Sequence, residues 1–368
     1  MTKAVYIHIP FCNHICAYCD FPKMLYHQKW TKPYLESLKK EILTYYQKEK
    51  IATIYIGGGT PSALNLEEFQ ILLETVNIFK KKKEYEYTIE CNIESLTEEK
   101  IKLMKLYGVN RVSIGVETMH PNHLKTINRN HTKKQVEIGI SLLKQYGIKN
   151  INIDLMYALP NETLQDVKED IQYFLSQKVP HISTYSLMIE PHTMLYYKKQ
   201  KPINEELDAT MYQTICKELQ KAGYQHYEIS NFSLPGYASK HNLTYWNNEH
   251  YYGFGLGASG YIDQIRYTNT QNLNHYCNEK YRFVEETMTT QITMENEMML
   301  GLRKLEGVEE SRFSKRYGKT ITDTFSIQKL IQKGKLKQEN GYIKIPEEYL
   351  YVSNDILLSF IGNTHDQK

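Results

Sequence analysis

Six short apolar segments, each followed by a helix-like stretch, constrain the first half of the chain more than any other feature. Val5–Ile9, Thr53–Gly57, Tyr87–Cys91, Arg111–Gly115, Asn150–Leu155 and His181–Ser186 are each rich in β-branched or aromatic residues, the composition of strands. The stretches between them change period. Leu35, Leu38, Ile42 and Tyr45 share one helical face, and Val136, Ile140 and Leu143 repeat the pattern further on. Asn65 with Glu68, and Thr132 with Gln135, place a capping residue three positions before a Glu or Gln, which is how a capping box opens a helix. Strands and helices in series predict an α/β fold with a parallel sheet and right-handed crossovers. The pattern fits a curved partial barrel and an open doubly wound sheet equally well.

After about residue 205 the alternation stops. A helix is expected over Asp208–Ala222, then an irregular stretch rich in Gly, Asn and aromatic residues from Tyr227 to Tyr276. Helical segments follow near Met294–Leu302, Glu309–Tyr317 and Thr322–Lys333. Two short alternating pieces, Leu336–Gln338 and Tyr342–Ile345, flank Asn340-Gly341, a strong hairpin signal. Three helices and a two-stranded wing predict a small α+β, winged-helix-like C-terminal domain. A chain of 368 residues has room for it beside a barrel, which takes roughly 200–250.

Charge and apolar patterning exclude some functions. Forty-five basic against 42 acidic residues leave a net charge of +3, too little to favour nucleic acid as a partner, so the wing reads as a packing unit. The run Lys80–Lys83 reads as the solvated end of a helix. No apolar run reaches the ~18 residues of a membrane span, and Met1 to Val5 lack the apolar region of a signal peptide, so a cytosolic protein is expected. Six cysteines in such a chain make no disulfide framework; clustered in a reducing compartment, they point to metal or redox chemistry.

Three of those cysteines are clustered, in Tyr6-Ile-His-Ile-Pro-Phe-Cys12-Asn-His-Ile-Cys16-Ala-Tyr-Cys19-Asp-Phe21. The loop follows the first expected strand, on the end where barrels build their active sites. A structural zinc site wants four closed ligands, usually from two knuckles, whereas Cys91, Cys216 and Cys277 are scattered. A cubane iron–sulfur cluster needs one ligand per iron, so three thiolates would leave one iron open. Zinc and a plain redox pair remain alternatives on spacing alone.

The Cys-x3-Cys-x2-Cys loop resembles that of the radical S-adenosylmethionine superfamily, whose open iron is chelated by the amino and carboxylate groups of the cofactor. The wider string Tyr-x-His-Ile-Pro-Phe-Cys-x3-Cys-x-Tyr-Cys-x-Phe resembles the haem chaperone (HemW-type) branch, in the group that also holds the oxygen-independent coproporphyrinogen III oxidases. The resemblance implies a partial (β/α)6 barrel carrying a [4Fe-4S] cluster on Cys12, Cys16 and Cys19. It divides the chain into the barrel (1–205), an extension with a haem motif (206–290) and the C-terminal domain (291–368).

The same resemblance assigns contacts to S-adenosylmethionine. Gly57-Gly58-Gly59-Thr60-Pro61 matches the family's glycine motif, where a bare backbone approaches the ligand closely. Glu90, Arg129 and Asp154 match polar contacts. Carboxylates suit ribose hydroxyls or an ammonium, and a guanidinium suits a carboxylate. Tyr6 and Tyr18 match further contacts. Glu117 departs from the pattern, standing where the family usually has glutamine, so the amide's donor is lost.

Chaperone and oxidase part at three places. The oxidases typically carry a cysteine two residues after the third cluster cysteine, where this chain has Phe21, and an extension before the first strand, where this sequence starts five residues ahead of Tyr6. His241-Asn242-Leu-Thr-Tyr245-Trp246 matches the His-Asn-x-x-Tyr-Trp motif of the haem chaperones, and imidazole with two aromatic rings suits a haem. The expected function is thus a cytosolic haem chaperone. Its partners would be haem and a haem-accepting respiratory protein at the membrane face, and the cluster would serve radical chemistry or switch a homodimer. An oxygen-independent coproporphyrinogen III oxidase is the alternative, and a nucleic-acid-modifying radical enzyme a weaker third.

Overall fold

The computed structural model describes residues 2–362; Met1 and residues 363–368, at the two ends of the expected domains, lie outside it. All six expected strands form: β1 (Ala4–Ile9), β2 (Ile51–Gly58), β3 (Lys81–Asn92), β4 (Arg111–Glu117), β5 (Asn150–Tyr157) and β6 (His181–Ser186). Each pairs in parallel with the next, as serial crossovers require. Helices α1 (Gln28–Tyr45), α2 (Leu66–Val76), α3 (Glu98–Leu106), α4 (Pro121–Thr126), α5 (Lys133–Gln145) and α6 (Leu164–Ser176) fill the connections. Both expected capping boxes are present, Asn65 with Glu68 and Thr132 with Gln135.

Period-two alternation gives the sheet two different faces. On β1, Val5, Ile7 and Ile9 are fully buried in the core beneath the helices. Tyr6 and His8 face the other way, paired with Tyr55 and Gly57; Thr88 lies across from Tyr55, whose hydroxyl donates to Glu90. The inner face is therefore polar, a lining built to hold a ligand.

Two segments depart from expectation. The stretch from Tyr227 to Tyr276 contains regular structure: β7 (Gln225–Glu228), β8 (Asn231–Ser233), β9 (Tyr251–Phe254), β10 (Ser259–Ile262) and β11 (Ile265–Asn269). Strand β9 pairs in parallel with β1, and β10, β11 and β12 (Arg282–Thr287) extend that edge, giving one sheet of twelve strands. The glycines that make this region read as loop are packing requirements. A Cβ at Gly253 would lie 1.9 Å from the Ser259 carbonyl oxygen, and one at Gly260 2.2 Å from the Tyr267 ring. The lysine run, expected to end a helix, opens strand β3 at Lys81.

The C-terminal part has its own apolar core around Met298, Phe313, Phe325 and Phe360. Helices α7 (Thr290–Gly301) and α8 (Glu310–Tyr317) form as expected, whereas the third breaks into two short turns because Phe325 takes an extended backbone. The wing gains a strand: Val308–Glu309 joins Tyr342–Lys344 and Lys337–Glu339. Asn340 (φ 53°) and Gly341 (φ 79°) adopt the two left-handed positions of the hairpin turn. Among the described residues, no helix is long and apolar enough to cross a membrane.

Candidate functional site

The three clustered cysteines line one cavity of about 370 Å3 at the C-terminal ends of the strands. Its walls also carry Tyr18, Gly58, Gly59, Thr60, Glu90, Glu117, Arg129 and Asp154, which come from five different strands or the loops after them. Tyr6 sits one layer deeper. Its hydroxyl lies 3.0 Å from His8 Nδ1, and His8 Nε2 donates to the Pro22 carbonyl at 2.7 Å, tying the end of the cysteine loop to β1.

The glycine turn works by close approach. Gly58 has φ +111°, and a Cβ there would stand 2.5 Å from the His8 ring; a Cβ on Gly59 would stand 3.0 Å from Cys12 Sγ. Glu90 fixes the turn by accepting from the Gly58 amide at 3.0 Å and from the Tyr55 hydroxyl at 2.7 Å. Thr60 Oγ1 lies 3.6 Å from Cys12 Sγ.

Charge is concentrated on the opposite wall. Arg129 donates to Asn92 Oδ1 at 3.1 Å and to the Gly115 carbonyl at 2.5 Å, and its Nη1 lies 3.6 Å from Cys16 Sγ. Burial works against its charge, but the carboxylates of Glu117 and Glu94 outweigh burial and hold it protonated. Glu117 takes φ +61° at an irregularity in the β4–β5 pairing, which turns its carboxylate toward Tyr18 (2.7 Å) and Arg129 (3.5 Å). Asp154 is pushed up to about 7 by burial first and then by the charges of Glu117 and Glu90. Burial also raises all three thiols, Cys12 to about 11, so thiolates here need a cation to form.

A small cationic amino-acid cofactor suits these walls. Glu117 Oε2 and Arg129 Nε are buried without a hydrogen-bond partner, and cavities of ~300–1,000 Å3 hold small molecules. Among the described residues, no three His, Cys, Asp or Glu side chains are placed to hold a single metal ion. A cubane takes one thiolate per iron, so its ligands stand apart around the cluster.

Several wall residues carry no motif. Met156, Tyr185, Met188 and Glu190 enter from the ends of β5 and β6, where a barrel strand's last residues point into the site. Glu94 was equally silent in the sequence. Burial raises its carboxyl, but the His131 imidazole and the Arg129 charge bring it down to about 2.

The residues matched to a haem motif lie elsewhere. His241, Asn242, Tyr245 and Trp246 belong to one short helix, Lys240–Trp246, set against the opposite, N-terminal ends of β2 and β3. Glu86 accepts from the amides of Lys240 and His241, both at 3.0 Å. The His241 ring is 1% exposed, stacks on Tyr55, and engages both nitrogens, Nδ1 with Thr53 at 2.9 Å and Nε2 with Tyr245 at 2.8 Å. Burial lowers it to about 3, so it stays neutral.

Comparison with known proteins places the chain. Residues 6–174 match the model of the radical SAM superfamily and residues 290–348 that of the HemN C-terminal domain. It is 40% identical to the heme chaperone HemW of Lactococcus lactis, over 98% of this chain and 97% of that one. The chain belongs to the HemW family. The Bacillus subtilis heme chaperone HemW is 38% identical over 98% of this chain and 99% of its own. Among solved structures, coproporphyrinogen III oxidase (HemN) from Escherichia coli superposes with a TM-score of 0.87 at 18% identity, covering 98% of this chain and 90% of that one. That likeness fixes the fold of this HemW relative: a radical SAM partial barrel with a small C-terminal domain.

Proposed function

We propose that this chain is a haem chaperone that binds haem and passes it to a haem-accepting protein. In this reading it carries a [4Fe-4S] cluster on Cys12, Cys16 and Cys19, with S-adenosylmethionine exchangeable at the fourth iron. One observation carries the cofactor part: three thiols meet a glycine turn, the Arg129 guanidinium and the carboxylates of Glu90, Glu117 and Asp154 in one cavity. Family membership across nearly the whole chain carries the chaperone part.

The chain's own residues divide the work by charge. Arg129 grips the cofactor carboxylate, Gly58 and Gly59 let backbone approach it, and Glu90, Glu117 and Asp154 take the ammonium and ribose hydroxyls. Tyr18 holds Glu117 in place through its hydroxyl. Tyr6 supports the site from below through His8. A reduced cluster with this cofactor supplies one-electron chemistry. Phe21, 61% exposed at the cavity mouth, stands where an oxidase typically offers a further cysteine. The acceptor would be a respiratory protein at the cytoplasmic face of the membrane, and cluster occupancy would set a homodimer.

Anaerobically purified protein, loaded with haem and mixed with a haem-free respiratory acceptor, should transfer the haem. The same protein given coproporphyrinogen III, reductant and S-adenosylmethionine should form no vinyl product. Vinyl product without haem transfer would replace the chaperone reading with that of an oxidase.

A further inference from the structure

A second cavity lies beside the first and is more than twice its size, about 850 Å3 against about 370 Å3. It runs between α4, the start of α5 and α6, and His14 and Arg129 line both cavities. Apart from Arg129, none of its lining residues is assigned to the cofactor site. Its volume lies toward the upper end of the ~300–1,000 Å3 range of ligand sites, large enough for a cofactor bigger than an amino acid.

The walls narrow the occupant. Met119, Leu124 and the Tyr173 ring give an apolar side, while Lys125 and Lys133 are exposed basic groups. Between them stands His120, half-buried. Its Nε2 donates to the Asp166 carbonyl at 3.1 Å, which orients the ring and turns Nδ1 away from that bond. That nitrogen has no hydrogen bond among the described residues and stands 3.8 Å from Asp166 Oδ1. An imidazole with one nitrogen tied to a backbone carbonyl and the other open is how a metal-ligating histidine is normally held. Glu169 and Asp170, 3.9 and 3.8 Å from Nε2, add negative charge beside it, which favours a cationic metal centre. Deeper in the wall, His131 is 3% exposed, its Nδ1 3.8 Å from Glu94 Oε1.

An apolar side, an open imidazole set among carboxylates, and two separate lysines describe one ligand class well: a metalloporphyrin with two propionates. We propose that this groove holds the haem cargo, with His120 Nδ1 on the iron, the apolar side against the porphyrin, and Lys125 and Lys133 paired with the propionates. The proposal rests on the haem-chaperone reading and names where that haem sits. His241 offers the opposite case, because a haem there would have to break two ring hydrogen bonds and displace the helix that Glu86 holds. The groove also touches His14, inside the cysteine loop, so cargo and cluster share one segment of chain.

The test titrates ferric haem into the full chain after anaerobic cluster reconstitution and follows the Soret band. His120→Gly should weaken uptake by about tenfold or more and shift the band, and added imidazole should restore it. Lys125→Ala with Lys133→Ala should weaken uptake without shifting the band, and folded His241→Ala should keep the wild-type spectrum. Wild-type affinity and spectrum in both groove variants would overturn the proposal and leave the chaperone reading standing. A wild-type chain that takes up no haem at all would instead remove the chaperone reading itself.

Discussion

Glu117→Gln restores the residue that the family usually carries, and the structure predicts that it trades stability for affinity. Glu117 Oε2 lies 3.5 Å from Arg129 Nη2, with side chains 9% and 2% exposed. At an effective dielectric of about 20, unit charges at that distance attract by ~5 kcal/mol. Desolvation of both groups returns most of this. The glutamine oxygen still accepts from Tyr18, and Arg129 keeps Asn92, the Gly115 carbonyl and the field of Glu94. The net loss should therefore be ~1–3 kcal/mol, read as a lower midpoint in guanidinium unfolding of the apoprotein. Arg129 is then released to the cofactor carboxylate, and S-adenosylmethionine should bind the reconstituted protein about three- to tenfold tighter by calorimetry. An unfolding midpoint equal to wild type, together with unchanged or weaker cofactor binding, would refute the claim that Glu117 holds Arg129 in reserve.

Other consequences can be checked singly. Glu41 is fully buried and accepts from the Gly255 amide (2.9 Å), Asn269 (2.7 Å) and Tyr276 (2.6 Å), with Arg282 at 3.4 Å. Glu41→Ala strands the buried Gly255 amide and Tyr276 hydroxyl and leaves the Arg282 charge without this partner, and should cost about 3–5 kcal/mol in urea unfolding; a loss under ~1 kcal/mol would contradict the network. Glu162 is pushed up to about 8 by burial and then by Asp170 and Asp166, from an ordinary 4.5. Between those values the native state holds a proton that the unfolded chain has lost, so its contribution falls as pH rises through that window. Glu162→Gln should gain on wild type between about pH 5 and about pH 9, and an equal gap in urea midpoint at both would count against it. Gly58→Ala forces a Cβ to within 2.5 Å of the His8 ring at φ +111°, and should cost ~1–3 kcal/mol and lower the iron retained per chain.

What the sequence made legible follows the strength of each local signal. Strand positions in β1 to β6 could be read because buried parallel strands need runs such as Ile151-Asn-Ile153 and Arg111-Val-Ser-Ile114, and the capping boxes at Asn65 and Thr132 announced their helices. The strands from β9 to β11 could not, because Gly253 and Gly260 are there to let backbone and Tyr267 pack, and glycine in sequence reads as loop. In the site, the cysteines and the glycine turn were visible as contiguous motifs. Tyr185 and Met188 were not, since single residues at strand ends carry no spacing signal and converge only through the fold. Nor did the motif around His241 disclose its surroundings: Thr53 and Tyr55, which engage its ring, are nearly 190 residues away.

The claim on which the rest depends is that Cys12, Cys16 and Cys19 carry a cubane with one iron open. Anaerobic reconstitution of the full chain should give a brown protein with a cubane absorption and, on reduction, an electron paramagnetic resonance signal that changes when S-adenosylmethionine is added. Each of Cys12→Ala, Cys16→Ala and Cys19→Ala should abolish it, while Cys91→Ser and Cys277→Ser should not. A colourless protein holding zinc, or a cluster signal indifferent to S-adenosylmethionine, would contradict the account.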